Sequence, residues 1–195
     1  MKTKNANPAN FLSGQNTSPI LFLYFQINHL KQIYRKGYRL RGITENFCES
    51  VADHTFGMAT LAIFICEIYF PKLDLLKVIV MTIIHELGEI ENGDITPHDG
   101  VSESVKYQLE HDSIQRLLKD FPGGEKYLEI WKEFERKETP EAKLVKQLDK
   151  LEMIFQSKIY KLQHGMNPQD FFKNAREEIR SPELLEILEE VERIS

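Results

Sequence analysis

From Pro19 to the C-terminal end, apolar residues recur at steps of three and four, and no strand-length segment alternates apolar with polar residues. A chain patterned this way can bury its apolar stripes only by packing helix on helix, so the fold class is all-α: a compact multi-helix bundle. Cap chemistry predicts the helix limits. The first runs over Ser18–Lys36, with Ser18 as N-cap, Pro19 in the first turn and Gly37 as its stop. Further helices are expected over Cys48–Tyr69, Leu73–Glu91 (stopped by Asn92-Gly93), Ser102–Lys119, Glu125–Lys137 and Pro140–Gln163, with two shorter ones over Pro168–Ile179 and Pro182–Ile194. The run Val78–Ile84 has the length of a buried strand, but the helical pattern continues on both sides of it, which favours a buried central helix. Residues 1–18, rich in Asn and carrying Pro8 and Gly14, read as a flexible tail, and residues 19–195 as a single domain.

Composition narrows the function classes. Hydrophobic residues form 42% of the 195, enough for a core of ordinary size, which sets aside a disordered chain. The net charge of −5 argues against a general nucleic-acid binder held by phosphate neutralisation. Cys48 and Cys66 lie outside any CxxC spacing, and a reducing, cytoplasmic setting is expected. The apolar run Ile20–Ile27 is too short to span a bilayer, contains Gln26 and lacks a cleavage pattern, so no membrane partner is expected.

The chemically informative stretch begins where the charge-free run Val78–Ile84 ends: His85, Glu86, Glu89, Glu91 and Asp94 follow within ten residues. Carboxylates beside a core are costly unless a cation or hydrogen bonds compensate. Acids in a last helical turn also face the unfavourable end of the helix dipole. His85 and Glu89 share one face, and Glu86 is rotated by about 100°. A metal ion near the helix surface is one explanation; a satisfied core histidine with a solvated last turn is the other. Two more segments supply matching groups. His54 leads the stripe His54, Met58, Leu61, Ile65 and points inward, as a ligand or as a hydrogen-bonded core histidine. Asp149 borders the ridge Leu144, Leu148, Leu151, Phe155, as a ligand or as a half-exposed acid paired with Lys146 or Lys150. Two histidines with two carboxylates suit Mn²⁺, Fe²⁺, Co²⁺, Ni²⁺ or Zn²⁺, and the scarcity of cysteine excludes a closed thiolate site. The segment Lys31–Arg41 adds Lys31, Arg35, Lys36, Arg39 and Arg41 in an otherwise acidic chain. Met153, Phe155, Phe64 and Tyr69 read as core, and Trp131 as core or a dimer contact.

The ordered blocks Arg35-Lys36-Gly37-Tyr38, Glu49-Ser50-Val51-Ala52-Asp53-His54, His85-Glu86-x-x-Glu89, Gly93-Asp94-Ile95-Thr96-Pro97 and Lys146-Gln147-Leu148-Asp149-Lys150 resemble the HD-domain metallophosphohydrolases, and within them the 5′-deoxynucleotidase branch. The resemblance covers about Lys31 to Lys161. It implies one divalent ion held by His54, His85, Glu86 and Asp149, and Glu89 as the catalytic acid. It places Asp94 at the reaction and, with Ile95, Thr96 and Pro97, in the loop that contacts the nucleoside. Arg35 would orient the phosphate and Tyr38 would stand by the sugar. The implied partner is a nucleoside monophosphate, and a homodimer is expected by analogy. The pair His85-Glu86 replaces the family's His-Asp, so an altered metal affinity is expected. That departure, with the acidic C-terminal stretch Glu183–Glu192 and its apolar Leu184, Leu185, Leu188 and Val191 (a stripe more often core or a dimer face than a docking site), also motivates the alternative of a degenerate member that binds a nucleotide or a protein without hydrolysis.

Overall fold

The computed structural model describes residues 3–194; Met1, Lys2 and Ser195, at the ends of the tail and domain assignments, lie outside them. The helices are α1 (Pro19–Asn28), α2 (Lys36–Arg39), α3 (Val51–Tyr69), α4 (Leu75–Ile84), α5 (Glu89–Asn92), α6 (Glu103–Leu118), α7 (Gly124–Arg136), α8 (Pro140–His164), α9 (Gln169–Glu178) and α10 (Pro182–Arg193). Among the described residues the extended backbone amounts to two isolated antiparallel bridges, Thr3 with Ile33 and Tyr34 with Ser50. The all-α reading holds.

The long helix α8 is the axis of the bundle and packs against α3, α4, α7, α9 and α10. Its start is set by Thr139, whose side chain accepts from the Ala142 N–H, with Pro140 in the first turn, and Gly165 ends it in the left-handed region. The ridge Leu144, Leu148, Leu151 and Ile154 meets Met58 and Ala62 of α3, Val78 and Met81 of α4, and Leu184 and Leu188 of α10. Each such side chain contributes about 1.5–3 kcal/mol by leaving water. A second cluster joins Leu30, Ile33, Val51, Ile84, Leu87, Ile90, Ile114 and Trp131. Residues 3–18 carry a 3-10 turn, Pro8–Leu12, and Asn7 Nδ2 donates to Gln26 Oε1 at 3.2 Å.

Two predicted helices are interrupted, and both breaks serve the site described below. Helix one ends at Asn28. After a 3-10 turn at His29–Lys31 the chain runs extended, because its backbone bonds elsewhere: Val51 N–H donates to Ile33 O at 2.9 Å and Arg35 N–H to Glu49 O at 3.1 Å. Helix three ends at Ile84. Residues 85–88 form a tight turn in which Glu89 N–H bonds Glu86 O at 3.0 Å, so His85 O loses its helical donor and accepts instead from Trp131 Nε1 at 3.1 Å. Gly88 permits the close crossing of α6; a Cβ there would lie 2.7 Å from the Glu110 Cβ. The side-chain expectations divide. Trp131 is fully buried and Met153 and Phe155 are half-buried, but Phe64 stands on the outer face of α3, away from the stripe that carries Met58, Ala62 and Ile65, and Tyr69, which continues that stripe, is exposed at the last residue of the helix.

Trp131→Phe keeps an aromatic side chain, though a smaller one, and leaves His85 O without a donor in the core. Urea unfolding followed by circular dichroism, since Trp131 is the chain's one tryptophan, is expected to show a loss of about 1–3 kcal/mol.

Candidate metal centre

The first turn of α3 is pinned by reciprocal capping. Asp53 N–H donates to Ser50 Oγ at 3.2 Å, and Ser50 N–H donates to Asp53 Oδ2 at 2.8 Å. One residue further on, His54 is fully buried and turned toward α8. Its Nδ1 lies 2.5 Å from Glu152 Oε2, while its Nε2 faces Asp149 Oδ1 at 3.3 Å and Glu86 Oε1 at 3.7 Å. His85 caps α4 and donates from Nδ1 to Thr82 O at 2.8 Å, which leaves its Nε2 facing Glu86 Oε1 at 3.3 Å. One ligand atom from each of His54, His85, Glu86 and Asp149 lies within 4.8 Å of all the others.

These four residues fit a divalent ion on two counts. Ligands about 2.1 Å from a shared ion stand roughly 3.0–4.2 Å from one another, and the separations of Glu86 from the two Nε2 atoms and of Asp149 from His54 Nε2, 3.3–3.7 Å, fall in that range. Moreover, the Nε2 atoms of both His54 and His85 are buried without a hydrogen-bond partner, which is costly in a finished core but natural for nitrogens aimed at a cation.

Around this cluster stand further charges. The extended backbone at Arg35 sends its guanidinium inward, to 3.1 Å from Glu86 Oε1 and 4.0 Å from Asp94 Oδ1. Burial works against that cation, but Asp94 and Glu86 outweigh it and hold the group charged. Asp94 is fixed by the Lys36 N–H, which donates to Oδ2 at 2.6 Å. Glu89 is buried with one oxygen unpartnered; burial first, then Glu86 and Asp94, raise its carboxyl well above the usual range. Burial resists ionisation of Glu86 and Asp149 too, yet His85 for the one and Lys150 for the other, with His54 beside both, hold them well below it. Identical side chains in one pocket are thus driven to opposite protonation states.

The sequence-predicted residues separate accordingly. The structure brings together His54, His85, Glu86, Asp149, Arg35, Glu89 and Asp94. Thr96 caps a 3-10 turn, Pro97–Asp99, on the loop that follows Asp94, and Ile95 O accepts from Lys106 Nζ at 3.2 Å. Tyr38 is not brought to the cluster: its ring is buried against Tyr160 and Phe171 and its hydroxyl donates to Met153 O at 3.0 Å. Of the remaining basic segment, Lys36 pairs with Asp99, Arg39 with Glu45 and Arg41 with Asp170. Asp149 does meet Lys150, at 3.1 Å, while its other oxygen faces His54. Sequence reasoning missed Lys106 and Glu152. Lys106 sits four residues before Glu110 like any surface helix pair, whereas Glu152 shares a helix face with Asp149, three residues earlier.

Residues 27–192 match the family model for the HD domain. The chain belongs to the HD domain family. It is 34% identical to the 5′-deoxynucleotidase HDDC2 of Dictyostelium discoideum, over 82% of this chain and 90% of the relative. It is 37% identical to the protein of the same name from Danio rerio, over 83% and 80%. Among solved structures, a conserved hypothetical protein from Pyrococcus furiosus superposes with a TM-score of 0.75 at 30% identity, covering 89% of this chain and 99% of the other. A predicted metal-dependent phosphohydrolase from Magnetospirillum magnetotacticum shares the fold, with a TM-score of 0.68 at 23% identity, over 89% and 91%. This HD domain carries a candidate metal centre of two imidazoles and two carboxylates. Its thiols take no part: Cys48 and Cys66 are buried and free, and Cys48 Sγ donates to Arg35 O at 3.5 Å.

Arg35→Gln would leave Glu86 and Asp94 facing each other without a cation. Removing one partner of a buried pair is expected to cost about 3–5 kcal/mol of stability, read as a lowered urea midpoint in protein kept free of divalent ions.

Proposed function

We propose that this HD domain is a divalent-metal-dependent phosphoric monoester hydrolase that removes the 5′-phosphate of nucleoside monophosphates, deoxyribonucleotides above all. The naming of the Dictyostelium and Danio relatives supports the substrate class. The observation that carries the reading is the pair of buried, unpartnered Nε2 atoms of His54 and His85 beside Glu86 and Asp149.

In this reading those four side chains hold one ion, which when bound polarises a phosphoryl oxygen and lowers the pKa of water from ~15.7 towards ~7. The donor set suits Mn²⁺, Co²⁺, Fe²⁺, Ni²⁺ or Zn²⁺. Arg35 supplies fixed positive charge at the pocket and binds phosphate oxygens through its planar fork. Water replaces the 5′-oxygen on phosphorus as the P–O5′ bond breaks. Glu89, carried as the neutral acid, gives its proton to the departing 5′-oxygen and regains one from the water. Asp94, oriented by the Lys36 amide, accepts from a sugar hydroxyl or from the water, and Ile95, Thr96 and Pro97 form the wall against the nucleoside. Neither motive for the degenerate alternative favours it over hydrolysis: Glu86 comes within 3.7 Å of both imidazoles, and the apolar stripe of the Glu183–Glu192 stretch, with Leu184, Leu188 and Val191, is buried in the core.

The proposal extends to a cytoplasmic homodimer acting on free nucleotides, with neither nucleic acid nor membrane as a partner. Phe56, Ile63, Phe64 and Ile68 form one exposed apolar stripe along α3, a surface of the kind monomers rarely leave to water. Sedimentation is expected at the dimer mass, and Phe64→Glu is expected to shift it toward the monomer without changing the circular dichroism spectrum; a wild-type monomer refutes the pairing.

Purified protein with Mn²⁺ or Co²⁺ is expected to release phosphate from a panel of deoxyribo- and ribonucleoside 5′-monophosphates. Glu89→Ala is expected to lower kcat by about 10²–10⁴. No release above that variant for any nucleotide rejects the hydrolase.

A further inference from the structure

The contact behind His54 has no part in the reading above. Glu152 is buried on α8, and its Oε2 lies 2.5 Å from His54 Nδ1, on the side of the ring away from Glu86 and Asp149. A second observation concerns Gly57, within the nineteen residues of α3. It has no positive φ that would call for glycine, and glycine inside a helix costs about 0.5–1 kcal/mol relative to alanine. What occupies the space of its missing side chain is Glu152: a Cβ on Gly57 would stand 2.9 Å from Glu152 Oε1 and 3.5 Å from its Cδ and Cγ. The helix gives up propensity where the carboxylate needs room.

From these two contacts we infer that Glu152 is a positioning residue for the metal centre, and that Gly57 is the gap that admits it. The inference rests on His54 being a ligand. Glu152 accepts the Nδ1 proton of His54, which leaves the Nε2 lone pair free toward Glu86, His85 and Asp149. It fixes the plane of the ring, and its negative charge makes the imidazole a stronger donor. Gly57 acts only through Glu152. Any side chain there pushes the carboxylate off Nδ1 and frees the ring to turn.

The test is isothermal titration of the purified, metal-free full chain with Mn²⁺ or Co²⁺, together with the visible absorption of the Co²⁺ form. Wild type, Glu152→Gln, Glu152→Ala, Gly57→Ala and the double variant Gly57→Ala/Glu152→Ala are compared, with His85→Ala as the control for the centre itself. Loss of a carboxylate behind a ligating imidazole is expected to weaken metal binding about 10–100-fold, in both Glu152 variants and in Gly57→Ala. The Co²⁺ spectrum is expected to change in each, while circular dichroism stays that of a folded helical protein. Adding Gly57→Ala to Glu152→Ala is expected to cost no further affinity, since the contact is already gone; a merely structural glycine would give additive losses.

Affinities for Glu152→Gln and Gly57→Ala within twofold of wild type, with an unchanged Co²⁺ spectrum and an intact response to His85→Ala, overturn this inference and leave the metal centre standing. Two ions per chain also overturn it, because the Glu49–His54–Glu152 group would then hold a cation in place of the contact described. A wild type that takes up no ion overturns both. Should Gly57→Ala fail to fold, the near-isosteric Glu152→Gln decides alone.

Discussion

Everything in this molecule is arranged around the repulsion among carboxylates held in one partly dry pocket. Glu86, Glu89, Asp94 and Asp149 are gathered where α3, α4, α5 and α8 meet, far closer than acids choose to be in a weakly polarising medium. Three devices contain the repulsion. Arg35 enters as a buried cation between Glu86 and Asp94. Lys150 sits against Asp149. Glu89 gives up its charge, since burial and its neighbours favour the acid form. What remains at the centre are the carboxylates of Glu86 and Asp149 and the Nε2 atoms of His54 and His85, the two nitrogens buried without a hydrogen-bond partner. Such an arrangement is poor as a core and good as a cradle for a divalent ion. In the hydrolase proposed above, this ordering of protonation states supplies the chemistry: the same crowding that favours the ionised form of Glu86 beside His85 and Arg35 favours the acid form of Glu89, the group proposed to deliver a proton.

The bundle makes this possible by being rigid where it is regular and irregular where it must reach the pocket. The α8 axis, packed on five neighbouring helices, holds Asp149 and Glu152 on its faces. The capping box at Ser50 and Asp53 fixes the phase of α3 and with it the direction of His54. By contrast, Arg35 and Glu86 leave breaks in the helical pattern. An uninterrupted first helix would keep the backbone at Arg35 from bonding Glu49. Unbroken backbone through His85 would occupy the carbonyl that Trp131 now holds. Both breaks are stabilised by bonds to distant segments, so the departures from regularity are specified by tertiary contacts.

That distinction separates what the sequence made legible from what it did not. The helical class, the N-cap at Ser18 and the core ridge of α8 follow from local periodicity and cap chemistry. Local rules also brought the metal candidates forward, because histidines and acids set against apolar stripes are locally anomalous. The interruptions at residues 29–35 and 85–88 were illegible because the competing hydrogen bonds come from residues far away in the chain. Phe64 misled for a related reason: α3 is apolar on more than one side, and composition alone does not say which face finds a neighbour; Tyr69 lies on the buried face but at the last residue of the helix, where the stripe runs out into solvent. Tyr38 was aligned with the sugar through its motif, but its ring is held in the core by Tyr160 and Phe171. Glu152 went unseen because its place three residues after Asp149 is a spacing that many charged helices offer; the missing side chain at Gly57, one turn from His54 on α3, is what marks it out.

Glutamate at position 86, where the family is named for aspartate, follows from the same geometry. In a continuous helix the extra methylene would carry the carboxylate beyond the ring of its neighbour His85. Here the helix has already ended at Ile84, and the turn through residues 85–88 brings the backbone of Glu86 round, with its carbonyl bonded to Glu89 N–H. The longer side chain then spans to both imidazoles, 3.3 Å from His85 Nε2 and 3.7 Å from His54 Nε2, while Arg35 holds the same oxygen from the other side. The substitution therefore belongs with the break in the helix and with the cation that the break admits, and it preserves the charge at the centre while changing the route by which that charge arrives.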